Sequence, residues 1–275
     1  MERIKQALEK AKAEGEIVRG RAPAPMEKAN AASTASGAAA PETAIRYSQT
    51  RVHTVDPHVL KENRVIYGDA DRVGLTAYKM LRTQVMQRMA SRQWNALAIT
   101  SPAPGDGKTL TAVNLAISLA RELHHTVLLV DMDLRNPSVH KCFGLRPEKG
   151  IGDCLQQQAT LGDALVNPGI ERLVLLPGRN AVENSSEILA SPAVGALVQE
   201  LKTRYPSRMV LFDLPPVLSA DDALAFAPFV DAFLLVIQDG KTTRTELDHT
   251  MEILKDATIL GTVLNASDEK ISTYY

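Results

Sequence analysis

The chain has 275 residues, 45% of them hydrophobic, with 31 Lys and Arg against 32 Asp and Glu. That length supports a substantial core in one or two domains, and the balanced charge gives no argument for nucleic acid or an anionic membrane as partner. No run of about 18 apolar residues occurs; with a charged N-terminus and only Cys142 and Cys154, not in CxxC spacing, the chain reads as a cytoplasmic protein with reduced thiols.

Within residues 1–18, Ile4, Ala7, Leu8 and Ala11 recur at helical spacing among alternating charges. The spacing predicts a short amphipathic helix, which either meets a partner or frays in solvent. Residues 19–72 read as linker and extended segment. The stretch GRAPAPMEKANAASTASGAAAPETA, 20–44, has almost no large apolar side chains to offset the entropy of ordering. Residues 45–72 read as extended chain, laid across the following domain.

Over 73–267 the pattern becomes strand and helix in alternation. GLTAYKMLRTQVMQRMA predicts a helix with Leu75, Tyr78, Leu81, Val85 and Met89 on its apolar face. Strands are expected at 95–100, 126–133, 172–177, 208–213, 232–237 and 259–265, and helices at 108–122, 186–203, 219–228 and 242–256. Most of the strands are continuous apolar runs, as strands covered on both faces should be. The expected fold is α/β, a doubly wound and mainly parallel sheet, with its chemistry at the carboxyl edge.

The first strand runs into SPAPGDGKTLTAVNLA, 101–116. Gly105 and Gly107 let the backbone turn its N–H groups inward, and the start of the next helix adds positive partial charge. Lys108 reaches terminal phosphates and the Thr109 hydroxyl suits Mg²⁺. The strict pattern G-x-x-x-x-G-K-[ST] has glycine where Pro102 stands; the alternative is an ordinary Gly-rich turn. Two further strands end in carboxylates: VLLVDMDLRNP in Asp131 and Asp133, VLFDLPP in Asp213. A nucleotide–Mg²⁺ site needs hard oxygen ligands beside the phosphates, and a kinase needs an acceptor for the attacking hydroxyl's proton.

SPAPGDGKT, LLVDMDLRNPSVHKCFG and VLFDLPP, in this order, resemble the bacterial tyrosine kinases of capsule and exopolysaccharide assembly over about residues 73–265. The resemblance implies a P-loop NTPase fold in which the first loop position is not glycine. NSSEILAS, DALAFAPFVDAFLLVI, GKTT and GTVLN are weaker echoes, and MERIKQALEKAK resembles an exosortase-associated subgroup. Carried over by position, ATP is held by Pro104, Gly105, Asp106, Gly107, Lys108, Thr109 and Leu110. Lys108, Asp131, Asp133 and Asp213 are catalytic, with Asp131 as proton acceptor, and Mg²⁺ lies near Thr109, Asp131 and Asp213. Arg135 steadies phosphate or acceptor. Asn265 either touches adenine or is a plain strand-terminal residue.

The chain ends DEKISTYY. The resemblance makes Tyr274 and Tyr275 the phosphoacceptors, and an extended tail of this length reaches about 35 Å beyond Asn265. The implied partners are further copies of the chain, a tyrosine phosphatase and a separate membrane-spanning polysaccharide co-polymerase that holds the kinase at the inner face of the plasma membrane. The family's E-x-x-R-x-x-R helix is altered here to Thr76, Lys79 and Arg82, which puts the usual ring contacts in question. One alternative is a partition or positioning ATPase, but those proteins carry an early loop lysine where this chain has Ala103. The other is a nucleotide-binding adaptor without catalysis.

Overall fold

A computed structural model of the chain describes residues 50–68, 71–122, 125–205 and 207–267. The helix expected over 1–18, the linker as far as residue 49 and the tail 268–275 lie outside these. In chain order the elements begin with β1 (Arg51–Val52), α1 (Pro57–Glu62), α2 (Arg72–Ala90), β2 (Ala96–Thr100), α3 (Lys108–Ala120) and β3 (Thr126–Asp131). Next come α4 (Val139–Cys142), α5 (Ile151–Leu155), α6 (Leu161–Ala164), β4 (Val166–Asn167), β5 (Leu173–Leu176), α7 (Ser185–Leu189) and α8 (Pro192–Thr203). The last are β6 (Arg208–Asp213), α9 (Asp222–Phe226), β7 (Ala232–Gln238), α10 (Arg244–Ile253) and β8 (Ile259–Asn265).

The strands form one sheet in the order β1-β4-β5-β3-β6-β2-β7-β8. Every pair is parallel except β4 with β5. Because strand side chains alternate between faces, the core divides into two layers. Leu97, Ile99, Val127, Leu129 and Leu211 pack with α2 and α3, whereas Ala98, Leu128, Val130, Val210 and Phe212 pack with α8 and α9. Central α3 buries nearly its whole length.

Three expectations change. Residues 45–72 are not simply extended: Pro57 opens α1 at its first turn, Asp56 caps it through the N–H of His58, and Leu60 is buried. Asn114 of α3 secures the segment that follows, accepting from Ile66 N at 2.8 Å and donating to Arg64 O at 3.3 Å. The single helix expected over 186–203 is two, since Pro192 starts α8 and cannot continue α7. Strand β3 stops at Asp131 rather than 133, so Asp131 and Asp133 take up different surroundings.

On α2, Thr76 and Lys79 are exposed. Arg82 is turned inward, donating to Ser118 O at 3.1 Å and pairing with Glu122 at 2.9 Å.

Candidate nucleotide and metal site

Parallel register sets the site. In the β3–β6 ladder Asp131 lies opposite Asp213, and Asp213 lies opposite Ile99 of β2 on its other side. Three adjacent strands thus end together beneath the loop that joins β2 to α3. Pro102 is buried and does not have the left-handed backbone that favours glycine. Its carbonyl accepts from Leu218 N at 3.2 Å. Nothing at this position requires glycine. Gly107 differs: φ is 96°, and a Cβ there would run into the Asn265 amide.

Lys108, the first residue of α3, points back over the strand ends. Its Nζ is 2.8 Å from Asp133 Oδ2, 3.8 Å from Asp213 Oδ1 and 3.2 Å from Thr109 Oγ1. Thr109 Oγ1 donates to Asp213 Oδ2 at 2.6 Å and lies 3.2 Å from Ser138 Oγ. Asp131 Oδ2 accepts from the N–H groups of Ser138 and Val139, both at 2.9 Å, at the start of α4. Asp133 Oδ1 accepts from Asn136 N at 3.0 Å.

Charge is concentrated and dry here. Asp131 and Asp213 have no exposure, and each keeps one buried oxygen, Oδ1, without a hydrogen-bond partner. Burial, followed by the charge of Asp213, pushes the Asp131 carboxyl up to about 7. Burial pushes Asp213 up to about 6 against the pull of Lys108. Burial alone would lower Lys108, but Asp213 and Asp133 outweigh it and hold the ammonium above its ordinary value. One lysine therefore faces three carboxylates, an arrangement that a divalent cation would complete.

Beside this cluster lies a cavity of about 380 Å³, lined by Pro104, Gly105, Gly107, Lys108, Thr109, Leu110, Asp133 and Arg135, and walled by Pro215 and Pro216. A cavity of about 390 Å³ where β2, β3 and β6 begin is lined by Met86, Met89 and Trp94 and includes none of the residues of the glycine-bearing loop or the strand-end carboxylates.

Three sequence-predicted residues have their side chains engaged by other parts of the protein. Asp106 is buried under the loop, its Oδ2 accepting from Ala103 N at 2.9 Å. Asn265 spends its amide on the carbonyl of Asp106 at 2.8 Å. Arg135 is held by Asp222, through Nε at 3.1 and 3.2 Å and through Nη2 at 2.9 Å. Tyr274 and Tyr275 lie outside the described residues. Ser138 was not singled out in the sequence. Its side chain resembles any loop serine, and only the fold of α4 brings it to Thr109.

A glycine-bearing loop at a helix start, a lysine and a set of strand-end carboxylates define a nucleotide-binding domain of the P-loop type. The sequence model of the CobQ/CobB/MinD/ParA nucleotide binding domain matches residues 97–273. Tyrosine-protein kinase YwqD of Bacillus subtilis is 31% identical over 208 residues, covering 75% of this chain and 86% of that protein. Tyrosine-protein kinase CpsD of Streptococcus agalactiae is 29% identical over 200 residues, 72% of this chain and 85% of that one. The solved structure of the kinase domain of the Escherichia coli tyrosine kinase ETK superposes with a TM-score of 0.67 at 26% identity, covering 82% of this chain and 91% of that one. The chain belongs to the bacterial tyrosine-protein kinases, within the CobQ/CobB/MinD/ParA class of nucleotide-binding domains.

Proposed function

We propose that this kinase transfers the γ-phosphate of ATP to tyrosine hydroxyls, with Tyr274 and Tyr275 at its own C-terminus as acceptors. The observation that carries the reading is the meeting of Lys108 and Thr109 with Asp131, Asp133 and Asp213 from two strand exits. The donor set fits Mg²⁺: hard oxygens only, two of them buried and unpartnered. Thr109, Asp213 and Asp131 would hold the ion, which when bound neutralises phosphate charge. Lys108 binds the phosphate chain, and the loop N–H groups orient it. Asp131, with its carboxyl pushed up to about 7, is suited to take the proton of the tyrosine hydroxyl. Pro215 and Pro216 line the cavity with apolar surface that limits water.

The same reading makes the kinase part of capsule or exopolysaccharide assembly, acting on further copies of itself beside a separate membrane-spanning co-polymerase, with a tyrosine phosphatase to reverse the mark. No helix among the described residues is long and apolar enough to cross a membrane. Phosphate on two adjacent tyrosines adds nearly four negative charges, which favours separation of subunits. The engagement of Arg82 with Glu122 supports an assembly that does not use this arginine for ring contacts.

Incubation of the full chain with Mg·ATP, followed by mass spectrometry, tests this. Phosphate on Tyr274 or Tyr275, lost in Lys108→Met, is expected. An unmodified tail with nucleotide binding intact would instead make the chain a non-catalytic adaptor. Turnover of ATP without any phosphotyrosine would make it a switch of the partition type.

A further inference from the structure

Asp106 presents the phosphate loop with an electrostatic problem. It is fully buried between Gly105 and Gly107, Oδ2 holds Ala103 N–H at 2.9 Å, and Oδ1 has no hydrogen-bond partner. A carboxylate buried within a loop that gathers phosphate oxygens repels the ligand, and low local dielectric strengthens that repulsion.

Lys241, in the loop between β7 and α10, stands 3.8 Å from Asp106 Oδ1 with its Nζ and donates to the carbonyl of Pro104 at 3.2 Å. The same Nζ is the nearest atom to a Cβ built on Gly105, at 3.3 Å. The lysine therefore lies directly on the loop. Its own backbone is fixed from behind. Thr242 Oγ1 accepts from Gln238 N at 2.8 Å, and Lys241 N donates to Gln238 O at 3.3 Å. Asp239 N donates to Asn265 O at 2.9 Å, and the Asn265 amide in turn holds Asp106 O at 2.8 Å. The ends of β7 and β8 thus grip the loop by two side chains, of which only the lysine carries charge. Glu246, another acid near Lys241, is engaged in the capping box of α10 with Thr243.

We infer that Lys241 is a positioning residue for the nucleotide's phosphate chain: it offsets the Asp106 charge and holds Pro104–Gly105 so that the loop presents N–H groups to a polyphosphate. The inference rests on the nucleotide-binding reading above and deepens it. Because the Lys241 side chain is 52% exposed, solvent screening leaves the pair little weight in folding. Its effect belongs in ligand affinity, where the negative charge on the loop matters most.

A double-mutant cycle on the full chain tests this, reading Kd for Mg·ATP by calorimetry and the unfolding midpoint without nucleotide. Lys241→Met is expected to weaken binding by about tenfold and to raise the KM for ATP with kcat little changed. The midpoint should stay put, and Lys241→Arg should retain wild-type affinity. Adding Asp106→Asn to Lys241→Met is expected to recover most of the lost affinity, because the charge needing a partner is gone. Wild-type affinity in Lys241→Met, or no recovery in the double variant, overturns the inference. If wild type binds Mg·ATP and Lys108→Met does not, the nucleotide site stands whichever way Lys241 falls. If wild type binds no nucleotide, both readings fall together.

Discussion

Thr109 Oγ1 donates to Asp213 Oδ2 at 2.6 Å across 104 positions of sequence. This bond ties the first turn of α3 to the exit of β6 and directs the hydroxyl oxygen toward the place where the carboxylates converge. Thr109→Val keeps the shape and removes the oxygen. We expect affinity for Mg·ATP to fall on the order of tenfold, with affinity for nucleotide in EDTA much less affected. Titration calorimetry with and without Mg²⁺ checks the difference.

Stability without ligand should fall as pH rises. Folding lifts Asp131 to about 7 and Asp213 to about 6 from an ordinary 3.8, so between roughly pH 4 and 7 the folded chain holds protons that the unfolded chain has released. A raised carboxyl pKa thus favours folding less and less as pH climbs through that window. Asp131→Asn should flatten the slope. Mg·ATP, which favours the ionised forms, should raise the melting temperature more at about pH 7.5 than at about pH 5.5. Thermal melts at several pH values decide it; a flat profile in the wild type would mean that these carboxylates ionise freely.

Gly107→Ala meets two obstacles at once, φ of 96° and the Asn265 amide. We expect a loss of about 1–3 kcal/mol in denaturant unfolding, together with loss of nucleotide binding. Asn265→Ala in the same chain should recover the steric part only, since the backbone strain remains. Gly105→Ala, at φ of 84° with only Lys241 Nζ nearby at 3.3 Å, should cost less.

Arg135→Ala leaves the buried Asp222 with serine donors, among them Ser186 Oγ at 2.9 Å. The expected destabilisation is about 1–2 kcal/mol, below that of a fully buried pair because the guanidinium is 51% exposed. Arg135→Lys should recover only part, having lost the two-pronged contact. Chemical denaturation measures both.

Leu60→Ala should cost about 2–4 kcal/mol, since this side chain is 2% exposed in the core layer shared with α3. The linker-like composition before it predicts nothing of the kind.

The apolar runs, the glycine spacing around Lys108 and the strand-end aspartates are local features, and they sufficed for the fold class and for marking Lys108, Thr109, Asp131, Asp133 and Asp213 as side chains that would meet at one edge of the sheet, as they do. Each depends on a few neighbouring residues: a buried strand must be apolar, a tight loop needs glycine, and a phosphate site needs a cation at a helix start. What Asp106, Asn265, Arg135, Ser138 and Lys241 touch was settled only when distant segments met. Asn265 reaches Asp106 across 159 positions and Lys241 reaches Pro104 across 137. Strand order and register decide such meetings, and no short stretch of sequence contains them.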